Sequence, residues 1–479
     1  MNVMQRLKNR WSEDGGYAEV LRIAFPLIIS TGTWSVQHFV DRMFLTWHSP
    51  EAIAASMPAG MLSFTIACIF IGTAGYVGTF VAQYNGAKQY DRCGPSLWQG
   101  IYIALIGGIV QIMFIPLAGS IFRIIGHAPE IQECERVYFI ILCYSGFPSI
   151  ASSALAGFYS GLGKTLPVMW VNIAMTAVNL FLDWLLIFGH WGFPEMGIAG
   201  AGIATVSAFF FSVIVYFLLV SRPFYGQTFR TIRGWRFDRD LFGRLIRYGF
   251  PSGVHFFVDI AGFTIFILLI GRLGTAALAA SNIAFNINTL AFMPMIGIGI
   301  AISVIVGQRL GENNPGLAER STYSAFHITL IYMVAIAILY IACPDLFVAP
   351  FAAQTDPARF ASIRQLAIVL LRFVALYSIF DAMSIIFSSA VKGAGDTRFV
   401  MLTELFLSVL VMVIPSYIAL VHFSLGIYSG WICATAYICA LGIVFYARFL
   451  NGMWKEMRVI EERIIAVPPT LPEAPTVEQ

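Results

Sequence analysis

Four acids stand inside long apolar stretches of the sequence: Asp41, Asp183, Asp259 and Asp381. Asp41 follows Gln37 and His38 by four and three residues, a spacing that puts all three on one face of a helix. Asn179 precedes Asp183 by four residues and stacks an amide one turn from a carboxyl, and His255 stands in the same relation to Asp259. Asp381 falls near the middle of its apolar run, and Glu404, near the end of the next, is a fifth and weaker case. An ionised side chain in hydrocarbon is costly, so such acids are either paired, with Arg42 and Arg372 as the available bases, or functional. Two chemistries fit. A carboxyl lined by amides and withdrawn from water takes up a proton nearer neutrality than a free one and can release it elsewhere. A carboxylate joined by amide oxygens, as Asp183 with Asn179 or Asp259 with Asn282 and Asn286, suits Na+, a hard cation that prefers oxygen. Either makes an ion-coupling site. With 15% aromatic residues and 17 Met, the chain can also surround an acid with a surface that attracts a lipophilic organic cation. Gln37, His38, His255, Asn282 and Asn286 are the polar residues expected along such a cavity.

These residues need a membrane-spanning scaffold, and the composition provides for one. Of 479 residues 58% are hydrophobic and only 11% charged, whereas a soluble domain carries about a quarter charged residues. A water-soluble globular protein and a disordered chain are both excluded. The seven cysteines are scattered, odd in number and without CxxC spacing, so they read as small hydrophobes, and no cofactor is expected. Apolar runs fall at about 20–45, 53–83, 97–125, 137–160, 166–189, 197–220, 245–271, 276–308, 322–344, 364–390, 399–422 and 426–450, which predicts an all-α membrane protein of twelve transmembrane helices. Of the 29 Lys and Arg, 22 fall at the termini and in the even-numbered connections. The positive-inside rule then makes both termini cytoplasmic in a multi-pass protein of the plasma (inner) membrane. The expected organisation is a cytoplasmic amino terminus (1–19), an N-lobe (20–220), a basic linker (221–244), a C-lobe (245–450) and an unstructured, Pro-rich tail (451–479). Seven arginines lie between Ser221 and Arg247; beside a membrane they need anionic lipid and no nucleic acid.

The chain also repeats itself. At an offset of 225, Phe25-Pro26 recurs as Phe250-Pro251, Ala54-Ala55-Ser56 as Ala279-Ala280-Ser281, and Val81-Ala82-Gln83 with Gly86 as Val306-Gly307-Gln308 with Gly311. Six helices per repeat is an even number, so the two lobes are parallel repeats, a construction that places a translocated substrate between them. Pro26 and Pro251 sit in the first span of each lobe and are expected to bend it as hinges. None of the four acids has an acidic counterpart at the repeat offset, which fits lobe-specific chemistry better than shared architecture.

Several of these segments resemble the multidrug and toxic compound extrusion (MATE) antiporters. The likeness rests on Phe25-Pro26 with Val40-Asp41, Val81-Ala82-Gln83-x-x-Gly86-Ala87, Gly161-x-Gly163-Lys164-Thr165, Asn179 to Asp183, Met196 to Thr205, and Lys392-Gly-x-Gly-Asp396-Thr397. It implies two six-helix lobes around a V-shaped cavity and export of organic compounds driven by H+ or Na+. It also implies a proton network of Asp41, Asn179, Asp183 and Thr205 in the N-lobe, and a cation site at Asp259 and Asp381 in the C-lobe. The chain is expected to act as a monomer on small organic cations, without being an enzyme. A lipid-linked precursor flippase is the alternative within the same superfamily, but it calls for a basic cavity. An intramembrane aspartyl protease reading rests only on Gly393-Ala394-Gly395-Asp396, whose repeat mate carries Lys164 in place of the acid.

Overall fold

The computed structural model describes residues 10–354 and 357–461, and among these it contains helices and no strand. The chain order is α1 (Tyr17–His48), α2 (Pro50–Gly86), α3 (Tyr90–Ile125), the bent pair α4 (Pro129–Cys143 and Gly146–Gly161), α5 (Thr165–Ile187) and α6 (Ile198–Val220). After a linker come α7 (Arg239–Gly271), α8 (Thr275–Gly311), α9 (Pro315–Ala342), α10 (Phe360–Ala394), α11 (Thr397–His422) and α12 (Ile427–Leu450). Ten of these runs are long and apolar enough to cross a membrane, and the bent pair makes an eleventh. The remaining one, α1, has the length but is interrupted by Gln37, His38, Asp41 and Arg42.

Local sequence sets the starts and breaks. Ser49, Asp238 and Asn314 cap α2, α7 and α9 by accepting from Ala52, Leu241 and Leu317 N–H at 3.0, 3.0 and 3.1 Å. The 47° bend of α4 falls at Tyr144 and Ser145, four residues before Pro148, whose ring would strike the Tyr144 carbonyl of a straight helix. In α11 the π-helical stretches Ser408–Val413 and Ile418–His422 flank Pro415 and absorb the same clash by widening the coil. Neither irregularity shows in hydropathy alone. Pro26 and Pro251 are buried, and α1 and α7 run through them as single helices.

The lobes meet where α1 packs on α8 and α2 on α7. Glycines permit the approach: a Cβ on Gly72 would stand 2.7 Å from Gly253 Cα, and one on Gly253 2.1 Å from the Ile69 carbonyl. On the face that carries the linker, the repeat-related glutamines cross. Gln83 Nε2 donates to the Gly393 carbonyl at 3.1 Å, and Gln308 Nε2 donates to the Gly161 carbonyl at 2.8 Å, so each lobe grips the other through the same motif. The glycines of that motif are spacers, since a Cβ on Gly86 would lie 2.0 Å from Gln308 O and one on Gly311 2.2 Å from Gln83 O.

The tail expected to be unstructured from 451 is folded as far as Glu461. Trp454 is buried and stacks on Phe449, Val459 N–H donates to Gln83 Oε1 at 2.9 Å, and Lys455 Nζ meets Glu319 at 2.7 Å. The Pro-rich remainder of that expected segment, 462–479, lies outside the described residues, as do the first nine residues of the amino terminus.

Candidate functional site

In the N-lobe, the helix spacing read from the sequence brings Asp41 on α1 against Asp183 on α5, their carboxyls within hydrogen-bonding reach of each other. Asp183 and Asn179 are completely buried, and neither Asp183 oxygen nor either polar atom of the Asn179 amide has a protein hydrogen-bond partner. Buried polar groups are normally satisfied, so a cluster of unsatisfied ones asks for a proton or a small cation. Two facing carboxylates repel, and a proton or cation between them removes the repulsion. Arg42 acts on Asp41 electrostatically, but among the described residues neither Arg42 nor Arg372 closes an ion pair with these acids. Tyr138 of α4 also lies within electrostatic reach of both carboxyls, a residue that no sequence pattern marks. Thr205 is half-buried on α6, which packs against α5; Gln37 is buried and His38 exposed.

The C-lobe holds a larger group. Glu404 of α11 is buried, accepts from the Tyr437 hydroxyl of α12 at 2.6 Å and meets His255 Nε2 of α7 at 3.4 Å. Asp259 lies within electrostatic reach of Glu404, Asp381 and Lys392. The helix turn that links His255 to Asp259 therefore connects a hydrogen-bonded Glu404 to a second acid. The sequence alone ranks Glu404 last, places Lys392 among the bases of a connection, and holds no signal for Tyr437. Lys392 belongs to the motif Lys392-Gly-x-Gly-Asp396-Thr397, and its carbonyl accepts from the Tyr76 hydroxyl of the other lobe at 2.7 Å. Asn282 and Asn286 are exposed on α8, and the Asn286 amide donates to the Asn282 carbonyl at 2.8 Å. Among the described residues no three His, Cys, Asp or Glu side chains are placed to hold a metal ion. The Asp396 carboxylate is taken by Arg448, at 2.7 Å from Nη2, so it closes a helix end with an ion pair.

Two parallel six-helix lobes, each with buried acids that no arginine neutralises, define a membrane transporter of repeated architecture. The chain belongs to the MatE family, whose model matches residues 26–185 and again 251–418. The two matches begin 225 residues apart, at Pro26 and Pro251, which is the offset of the internal repeat. Similar curated proteins include the probable multidrug resistance protein NorM of Thermotoga maritima, 23% identical over 93% of this chain and 95% of that protein. The multidrug resistance protein PmpM of Pseudomonas aeruginosa is 29% identical over 81% of this chain and 80% of its own. Among solved structures, a MOP superfamily transporter from Pyrococcus furiosus superposes with a TM-score of 0.83 at 20% identity, covering 94% of this chain and 98% of that one. The eukaryotic MATE transporter AtDTX14 gives 0.80 at 20% identity, covering 91% and 96%. The fold is thus the two-lobed, V-shaped MATE fold.

Proposed function

We propose that the protein is a secondary antiporter that exports amphipathic, cationic organic compounds in exchange for H+ by alternating access. The observation that carries this reading is the contact of Asp41 with Asp183 beside the uncommitted Asn179 amide. A proton bound there removes a carboxylate charge in the N-lobe, and its release restores the charge, so occupancy by proton and by organic cation oppose each other. Thr205 belongs to the same network in this reading, and Pro26 and Pro251 act as its hinges. Asp259 and Asp381, with Glu404, form a second acidic surface that draws the cation into the C-lobe. The related multidrug resistance proteins support organic substrates. The unequal distribution of Lys and Arg supports a cytoplasmic linker face and both termini inside. The flippase alternative fits less well, since five intramembrane acids outnumber the two bases, Arg42 and Lys392, that act on them in the two clusters.

The test is ethidium efflux from liposomes holding the purified protein, under an imposed pH gradient or an imposed Na+ gradient, for wild type, Asp41→Asn and Asp381→Asn. Efflux driven by the pH gradient and lost in Asp41→Asn is the expected result. A requirement for Na+ together with loss in Asp381→Asn moves coupling to the C-lobe, and absence of any gradient-driven efflux of organic cations overturns the antiporter reading.

A further inference from the structure

The linker between α6 and α7 folds back on the start of α3 and leaves its charges unmatched. Its backbone is spent on α3: Gly94 N–H donates to the Phe229 carbonyl at 2.9 Å, Trp98 Nε1 to Thr231 O at 2.6 Å, and the Tyr102 hydroxyl to Trp235 O. Two close backbone contacts fix the same docking, since a Cβ on Gly94 would stand 2.3 Å from Phe229 O and one on Gly234 2.8 Å from Pro95 N. With the chain so held, Arg230, Arg233, Arg236 and Arg239 join Arg92 around a cleft of about 560 Å³. Two acids line it as well, and both are committed. Asp238 pairs with Arg92 at 3.1 Å and caps α7, and Asp240 pairs with Arg244 at 3.0 Å. The other four arginines are exposed and have no acidic partner among the described residues. Ile232, Trp235 and Phe237 are interleaved with them in sequence and lie 55%, 60% and 57% exposed.

We propose that this cleft is a binding site for the phosphate-bearing headgroup of an anionic phospholipid. Planar guanidinium groups match phosphate oxygens in pairs, and four unneutralised ones around one cavity give a headgroup several partners at once. The apolar side chains select the source of the phosphate. A soluble anion has no use for exposed Ile, Trp and Phe, whereas a lipid brings acyl chains for them to lie against, and Trp at a membrane boundary is the usual anchor. The cleft is lined by three elements: the start of α3 through Arg92, the linker itself, and the start of α7 through Arg239. It is independent of the coupling acids and does not rest on the transport reading.

The test is thermal unfolding of the purified full chain in neutral detergent, titrated with phosphatidylglycerol, with phosphatidylcholine or with inorganic pyrophosphate. It compares wild type, Arg230→Gln/Arg233→Gln/Arg236→Gln, and a control with Arg222→Gln/Arg247→Gln, two linker-region arginines outside the cleft. Phosphatidylglycerol is expected to raise the wild-type midpoint in a saturable way, phosphatidylcholine to leave it unchanged, and the control to respond as wild type does. Removing three arginines should weaken the response about a hundredfold in concentration. Equal responses in the cleft variant and the control would reduce the effect to general charge and overturn the site. A full response to pyrophosphate alone would overturn the lipid as its occupant. Should the triple variant fail to fold, native mass spectrometry of wild type decides the matter: one anionic lipid retained per chain supports the site, and none retained overturns it.

Discussion

In the proposed coupling, Asp41 and Asp183 act as one group, because each carboxyl sits within reach of the other and no ion pair among the described residues neutralises either. Removing one charge should therefore do nearly all the damage. Asp41→Asn and Asp183→Asn are each expected to cut pH-driven efflux by about tenfold or more, with the double variant no worse than the singles, since residues sharing one interaction are not additive. Additive losses in a proteoliposome efflux cycle would show two independent roles. The N-lobe pair is legible in the sequence as far as its acids and their i, i+4 amide, because a carboxyl in an apolar run is rare enough to notice. That the two acids touch is not legible, since they stand on separate helices and spacing along the chain says nothing about which faces meet. Glu404 is hidden for a different reason. It lies near a helix end where acids are ordinarily solvated, and only the approach of Tyr437 and His255 makes it an interior group. Glu404→Gln keeps the Tyr437 hydrogen bond but removes the negative charge. It should slow efflux of a cationic dye while sparing a neutral substrate, a contrast measured in the same vesicles.

At the scale of elements, the apolar runs mark the existence of the helices, because crossing hydrocarbon demands about 20 apolar positions and internally satisfied backbones. But α3, α4, α7 and α9 begin at Tyr90, Pro129, Arg239 and Pro315, well before the runs expected from 97, 137, 245 and 322, since their polar first turns carry no hydropathy signal. What hydropathy does not show is where a helix breaks, because one proline in an apolar run barely changes the mean. The bend of α4 before Pro148 and the wide turns around Pro415 are of this kind, while Pro26 and Pro251, read as hinges, sit inside continuous helices. Glycines are equally silent about their purpose, and the α7 pair Gly253 and Gly243 separates two of them. A Cβ on Gly253 would lie 2.1 Å from the Ile69 carbonyl of α2, whereas one on Gly243 meets nothing within 4 Å. Gly253→Ala must force the lobes apart and should lower stability by about 1–3 kcal/mol, the range for overpacking. Gly243→Ala should raise it by up to about 1 kcal/mol through helix propensity alone. Thermal midpoints by intrinsic fluorescence decide the pair, and similar shifts in both would refute the close crossing.

For the whole molecule, the alternating access proposed above requires that the contacts closing one face be strong enough to hold and weak enough to release. On the linker face those contacts include Gln83 and Gln308 reaching across the lobes, and the tail end seated over them. The repeated Gln-x-x-Gly motif announces itself in the sequence as duplication only; its reciprocal grip follows from a pseudo-symmetric crossing that a single chain of letters does not contain. Glu461 fastens the tail, accepting from the Tyr84 hydroxyl of the N-lobe at 2.7 Å and pairing with Arg92 at 3.1 Å and with Arg244 beyond the linker. Desolvation opposes its charge, but the hydrogen bonds from Tyr84, its own backbone and Arg244 outweigh that cost and hold its carboxyl down at about 2, against an ordinary 4.5. A carboxyl held low in the folded state stabilises it above the ordinary value, and the benefit is lost as pH falls from 4.5 towards 2. The side chain is partly exposed, so salt screens part of the effect. Glu461→Gln should therefore unfold at a lower temperature than wild type at pH 6, with the gap narrowing below pH about 4.5 and shrinking in high salt. The same variant should open the linker face more readily. The readout is faster thiol labelling of Ala87→Cys, a half-buried position beside Gly311 of the other lobe, in an otherwise Cys-free background. No stability gap at pH 6 would mean that the tail is held by Trp454 and Val459 packing alone and that Glu461 does not latch this face, and a gap that persists unchanged into acid would mean that its charge is not what holds it.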